Sequence, residues 1–142
     1  MTLKVTVNSV TGERFTQIVE SGKHQLISDK SESFGGSDKG PGPYTYLLAA
    51  LGSWTAITLR MYAERKGFTL TTITIRLSHD RRDLKDCSGC ETTDDKVDEI
   101  QSNIHLDGEI DESQRNRLLE IATRCWMHRT LSSGVRIRTS TI

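Results

Sequence analysis

The sequence predicts an α+β domain in which mainly antiparallel sheet wraps one long buried helix. Three observations lead there. Apolar and polar residues alternate at the start, the middle and the end of the 142-residue chain. A long apolar stretch with helical spacing separates the first of these runs from the second. The resulting order is strands, long helix, strands, helix, strand. A single domain spanning residues 1–142 accommodates all of it.

Leu3, Val5 and Val7 alternate with polar neighbours and read as a first strand, followed by a turn at Ser9-Val10-Thr11-Gly12. Phe15, Gln17 and Val19 share one face of a second strand. Glu20-Ser21-Gly22-Lys23 turns into a third, His24 to Ser28. Turns this short predict an antiparallel meander. Asp29 to Pro43 is rich in Gly, Ser, Asp and Lys and is a loop; it lacks the Gly-Lys-Ser/Thr that closes a phosphate loop.

The helix is expected from Pro43 to Lys66. Pro43 suits a first turn, Arg65 and Lys66 suit the negative C-terminal end, and Gly67 suits a left-handed cap. Leu47, Ala50, Trp54, Thr58 and Met61 recur on one face, while Leu48, Leu51 and Ile57 are apolar on others. Such a helix calls for cover on most sides, from a sheet and from a second subunit.

Ile73, Ile75 and Leu77 alternate in the clearest strand, which runs on into a charged region at His79 to Asp83. Leu84 to Asp95, with Cys87-Ser88-Gly89-Cys90, reads as a turn or excursion. Val97 to Leu106 is the next strand, with Ile100, Ile104 and Leu106 toward the core. Asp111 and Gln114 form a capping-box-like helix start. Leu118, Ile121, Ala122 and Cys125 follow at helical spacing, a last helical turn covers Met127 to Leu131, and Val135, Ile137 and Thr139 alternate in a closing strand.

Lysine plus arginine equals aspartate plus glutamate, 19 each, so nothing draws the chain toward nucleic acid or an anionic membrane. Residues 1–7 lack the charged start and apolar run of a signal peptide. Gly52, Ser53, Thr55, Thr58 and Arg60 interrupt the longest apolar stretch, which favours a core helix over a membrane span. Three cysteines are too few for a disulfide scaffold and fit a reducing, cytoplasmic setting. No cofactor is implied.

Three segments carry a family resemblance: Gly40-Pro41-Gly42-Pro43-Tyr44 leading into Leu47 to Ser53; Thr58 to Ala63 with the strand to His79; and Arg124-Cys125-Trp126-Met127-His128-Arg129-Thr130-Leu131. Together they resemble the OsmC/Ohr family of peroxiredoxin-like hydroperoxide reductases, in the branch with a short excursion after the central-helix strand. The resemblance implies an intertwined homodimer with two interfacial sites and a role in oxidative-stress defence. It also implies that one cysteine on the central helix is oxidised by an organic hydroperoxide and a second resolves the sulfenic acid as a disulfide. Carried over by position, Cys125 matches the resolving cysteine and Trp54 the peroxidatic one. Tyr44 stands where hydroperoxide-resistance members have Glu, the stretch from Ser31 to Phe34 holds no Arg, and Trp126-Met127 replaces the usual Pro-Val.

An indole cannot ionise to a thiolate or form a disulfide. The family's peroxide reduction is therefore expected to be absent or very weak in this chain. On spacing alone Trp54 is an aromatic plug in the core. The functional alternative is a non-catalytic protein whose interfacial pocket stacks a small apolar or aromatic molecule on Trp54 and Trp126, with Tyr44 and His128 as further pocket candidates. Cys125 is either an inert buried thiol or the remaining reactive one, and His128, three residues on, could stabilise its thiolate, with a surface or interface hydrogen bond as the plainer role. Cys87 and Cys90 are structural or incidental thiols in the first reading. A metal or redox module built on them is the alternative, although one CxxC supplies only half of a zinc site. Arg60 and Arg129 are candidates to answer a buried carboxylate at the dimer interface, with exposed salt bridges as the plainer role.

Overall fold

A computed structural model describes residues 2–83 and 96–142. The chain forms two compact units, Met1–Leu47 and Leu48–Ile142. In the first, β1 (Thr6–Ser9), β2 (Gln17–Ser21) and β3 (His24–Ser28) form the expected antiparallel meander. Val7 pairs with Val19, and Val19 with Leu26. The strand β1 is shorter than the alternation suggested, since Leu3 and Val5 precede it and are exposed.

This unit buries little apolar surface, and polar contacts order its loop. Asp29 is 2 % exposed. Its carboxylate accepts from the Thr16 hydroxyl at 2.9 Å, the Lys30 N–H at 2.7 Å and the Lys39 N–H at 3.2 Å. Burial pushes its pKa up, but the N–H groups of Lys39 and Lys30 and the Thr16 hydroxyl outweigh it, so the carboxyl lies below its ordinary range. The backbone N–H of Asp29 donates to Pro41 O at 3.2 Å. A Cβ on Gly40 would lie 2.3 Å from Ile27 O, so the loop can fold back on β3 only with glycine there. The Tyr46 hydroxyl adds a hydrogen bond to Ile27 O at 2.6 Å.

The central helix α1 runs Pro43–Lys66, as the sequence indicates. It ends in a Schellman motif: Gly67 takes φ 71°, its N–H donates to Glu64 O, and the Phe68 N–H donates to Ala63 O. In the second unit β4 (Thr69–Asp83) and β5 (Lys96–Glu109) pair antiparallel, with Ile73 opposite Leu106 and Ile75 opposite Ile104. A bulge falls between Leu70 and Thr72. The Arg60 guanidinium donates to Leu70 O and, at 2.9 Å, to Thr71 O. Arg60 thus answers strand carbonyls and forms no salt bridge among the described residues. Helix α2 (Glu112–Ala122) opens with a complete capping box between Asp111 and Gln114. Helix α3 (Trp126–Ser133) follows.

The core joins Leu59, Tyr62 and Ala63 of α1 to Leu70 and Leu106 of the ribbon and Leu118 and Ala122 of α2. Each large member contributes about 1.5–3 kcal/mol by leaving water. The buried face of α1 differs from the one expected. Leu51, Thr55, Leu59 and Tyr62 point inward, whereas Trp54 and Met61 are exposed. The stripe read from spacing was one residue out of phase, because α1 is apolar nearly all round and periodicity alone could not choose a side.

The closing strand is also corrected. Residues 134–142 form no strand, and Ile137 is 82 % exposed. Their alternation suits a strand, but a ladder also needs a neighbour's N–H and C=O groups, and none among the described residues pairs with them. The segment Leu84 to Asp95, with the Cys87–Cys90 pair, lies outside the described residues. No helix among the described residues is long and apolar enough to cross a membrane.

Candidate functional site

Cys125 sits where the chain leaves α2 and enters α3. Its backbone is extended (φ −64°, ψ 150°), and its side chain caps α3 by accepting the His128 N–H at 3.3 Å. The Thr55 hydroxyl lies 3.5 Å from the same sulfur and donates to Leu51 O at 2.8 Å. A hydroxyl has one proton. With that proton on Leu51 O, the thiol S–H donates to Thr55 and the sulfur lone pair receives the His128 N–H. The thiol is thus satisfied as donor and as acceptor, and it is 1 % exposed, as its place on the α2 stripe implied.

An open cleft of about 750 Å³ lies beside it. Trp54, Met61, Ile121 and Trp126 give it apolar walls, Cys125 touches its floor, and Arg65 and Arg124 stand among its polar lining residues. Trp54 is 39 % exposed, so the expectation of a core plug is overturned. One helical residue is about 100° of rotation, which turns Trp54 onto the cleft while Thr55 goes inward. The indole of Trp126 carries the Arg129 guanidinium 5.0 Å from its ring centroid. That contact, and no carboxylate, is the partner of Arg129 among the described residues.

Next to the lining residue Arg124, Glu120 accepts from Arg117 at 2.8 Å and from Arg124 at 2.7 Å. The hydrogen bond from Arg117 holds the Glu120 carboxyl below its ordinary range. Arg117 also donates to the Tyr62 hydroxyl at 2.9 Å, the first reason its own pKa is raised. No group of three or more His, Cys, Asp or Glu suited to a metal occurs among the described residues.

The sequence profile of the OsmC-like protein family matches residues 36–140. This chain belongs to that family. Solved structures agree on the fold. An OsmC-like protein from Mycoplasma pneumoniae superposes with a TM-score of 0.73 at 21 % identity, over 93 % of this chain and 88 % of that one. The organic hydroperoxide resistance protein OsmC from Legionella pneumophila gives 0.65 at 12 %, covering 91 % and 88 %. An organic hydroperoxide resistance protein from Elizabethkingia anophelis gives 0.63 at 14 %, covering 87 % and 82 %. Comparison with curated protein sequences finds no match.

Of the positions that the OsmC resemblance singled out, the fold brings Trp54, Cys125 and Trp126 to one cleft. Tyr44, exposed in the first turn of α1, is not among the cleft's lining residues. His128 reaches Cys125 through its backbone N–H only. Its imidazole Nδ1 lies 3.4 Å from the Ser132 hydroxyl, and His128 lines two smaller clefts beside β5. The Ser132 contact fits the plainer hydrogen-bonding role for the imidazole, and it is the backbone N–H that meets the sulfur, because the first turn of a helix aims N–H groups at its cap. Sequence reasoning missed Thr55, Arg65 and Arg124. The spacing Leu51-Thr55-Leu59 signals Thr55, but only once the buried face is known.

Proposed function

We propose that this OsmC-family protein does not turn over hydroperoxides by the two-thiol route, and that its cleft binds a small apolar or aromatic molecule between Trp54 and Trp126 beside Cys125. One observation carries this reading. The α1 side chains nearest in sequence to the family's reactive position are an indole that lines the cleft and a hydroxyl hydrogen-bonded to Cys125. Neither can attack a peroxide oxygen as a thiolate does, and neither can condense with a sulfenic acid. The apolar walls and few polar groups around the opening suit an organic ligand.

The same reading has the protein act as a homodimer in the reducing cytoplasm. Exposed Met61 and Ile57 on α1, together with Val135 and Ile137, support a second copy, since apolar surface of this extent on one chain favours burial.

The test is dithiothreitol-driven reduction of cumene hydroperoxide, run beside a thermal-shift screen of small aromatic compounds. Negligible turnover with a ligand-dependent rise in melting temperature is expected. Robust turnover by the unaltered chain would refute the reading.

A further inference from the structure

The charges that line and flank the cleft are unequal. Glu120 is one carboxylate shared by two guanidinium groups, those of Arg117 and Arg124. Arg65 lies against the Tyr62 ring at 5.3 Å and makes no ion pair among the described residues. Among the residues that line the cleft, Glu64 is the acidic one, against Arg65 and Arg124. Arg117, 5.7 Å from the ring of the lining residue Tyr62, and Lys66, 6.0 Å from it, add positive charge beside that lining. Trp54, Met61, Ile121 and Trp126 supply its apolar part.

We infer that the cleft is built for an organic anion, with a flat apolar body against the indoles and a carboxylate or sulfonate held by Arg65 and Arg124. The inference rests on the ligand-cleft reading above and names the ligand's charge. A guanidinium offers a planar fork that matches two oxygens of a carboxylate. Arg124 donates to Glu120 through one terminal nitrogen and keeps other N–H groups to offer. Arg65 lies over the Tyr62 ring and is committed to no carboxylate among the described residues, so its fork can serve a ligand. Aromatic faces supply area without charge preference, so the arginines decide between an acid and its neutral analogue.

Calorimetric titration of the full chain with 2-naphthoate and with 2-naphthalenemethanol tests this, since the two probes share a ring system and differ in charge. The acid is expected to bind about tenfold more tightly, and added salt should weaken the acid alone. In Arg65→Gln/Arg124→Gln, whose two sites are exposed and whose fold is checked by circular dichroism, the alcohol should bind as before and the advantage of the acid should vanish. Equal affinities in the unaltered protein would overturn the anion inference and leave the ligand-cleft reading intact. A preference for the acid that survives in the double variant would overturn the assignment to these arginines. Failure of both probes to bind would sink the cleft reading and the inference with it.

Discussion

The hydroxyl of Thr55 lies 3.5 Å from the thiol of Cys125, while Trp54, one residue earlier on α1, faces the adjoining cleft. Consecutive positions on one helix thus have separate surroundings: residue 55 meets the thiol, and residue 54 lines the cleft. In the reading proposed above, a two-thiol route would need one α1 thiol that does both, open to a peroxide on one side and to Cys125 on the other.

Trp54→Cys should supply such a thiol. Negligible cumene hydroperoxide reduction is expected of the unaltered protein and measurable reduction of the variant, with two thiols lost on peroxide treatment. Because Trp54 is already 39 % exposed, the stability cost should be about 1–2 kcal/mol, below that of emptying a fully packed site. A folded but inert variant would show that the pocket has diverged at more than this position.

Thr55→Cys should behave differently. Its sulfur would start close to that of Cys125, and a disulfide requires an approach to about 2 Å with modest backbone adjustment. Mild oxidation should titrate away both thiols, without the peroxide turnover expected at position 54. Two thiols still titratable after oxidation would contradict the contact between α1 and the α3 cap.

Cys125 caps a helix, so its substitutions should rank by their ability to accept a hydrogen bond. Cys125→Ala removes the acceptor for the His128 N–H and should cost about 1 kcal/mol for the cap, with a further loss from the space left behind. Cys125→Ser keeps an acceptor and should retain the larger share of stability. Thermal melts of both, run without peroxide, separate the structural role of the residue from any redox role.

Acid should loosen the loop around Asp29. A carboxyl whose pKa is lowered in the folded state contributes stability that is complete above its unfolded value, near 4, and is lost as pH falls through its folded value. Melting temperature should therefore decline below about pH 4. In Asp29→Asn the starting temperature should be lower and this part of the decline shallower. An identical pH profile in the variant would remove Asp29 as its source.

Sedimentation at micromolar concentration should give about twice the 15.9 kDa chain mass. Met61→Glu, placed where α1 is 64 % exposed, should shift the protein toward monomer. A stable monomer of the unaltered chain would refute the homodimer.

The fold was legible wherever local rules and burial agreed. Pro43, the Arg65-Lys66 pair and Gly67 mark both ends of α1, and Asp111 with Gln114 marks the start of α2, because caps are local chemistry written in a few residues. The alternation of Ile73, Ile75 and Leu77 likewise fixed the facing of β4. What failed depended on partners. The buried side of α1 was invisible because apolar residues surround it. The segment from Val135 to Thr139 has strand chemistry but no paired neighbour among the described residues. At the site, Cys125 and Trp54 were found by family pattern. Thr55 was read as a break in an apolar run, Arg65 as a helix end and Arg124 as part of a family segment; their place at or beside the cleft shows only in the fold.

The grip of Arg60 on the bulge has a consequence for the long ribbon. Sliding β4 by two residues against β5 would leave every side chain on its proper face, so alternation cannot distinguish the native alignment from that alternative. The bulge between Leu70 and Thr72 occurs once, and the Arg60 fork holds the carbonyls of Leu70 and Thr71 from a fixed point on α1. Together they act as an index mark, giving the two strands an absolute zero from which the pairings as far as Asp83 and Lys96 are counted.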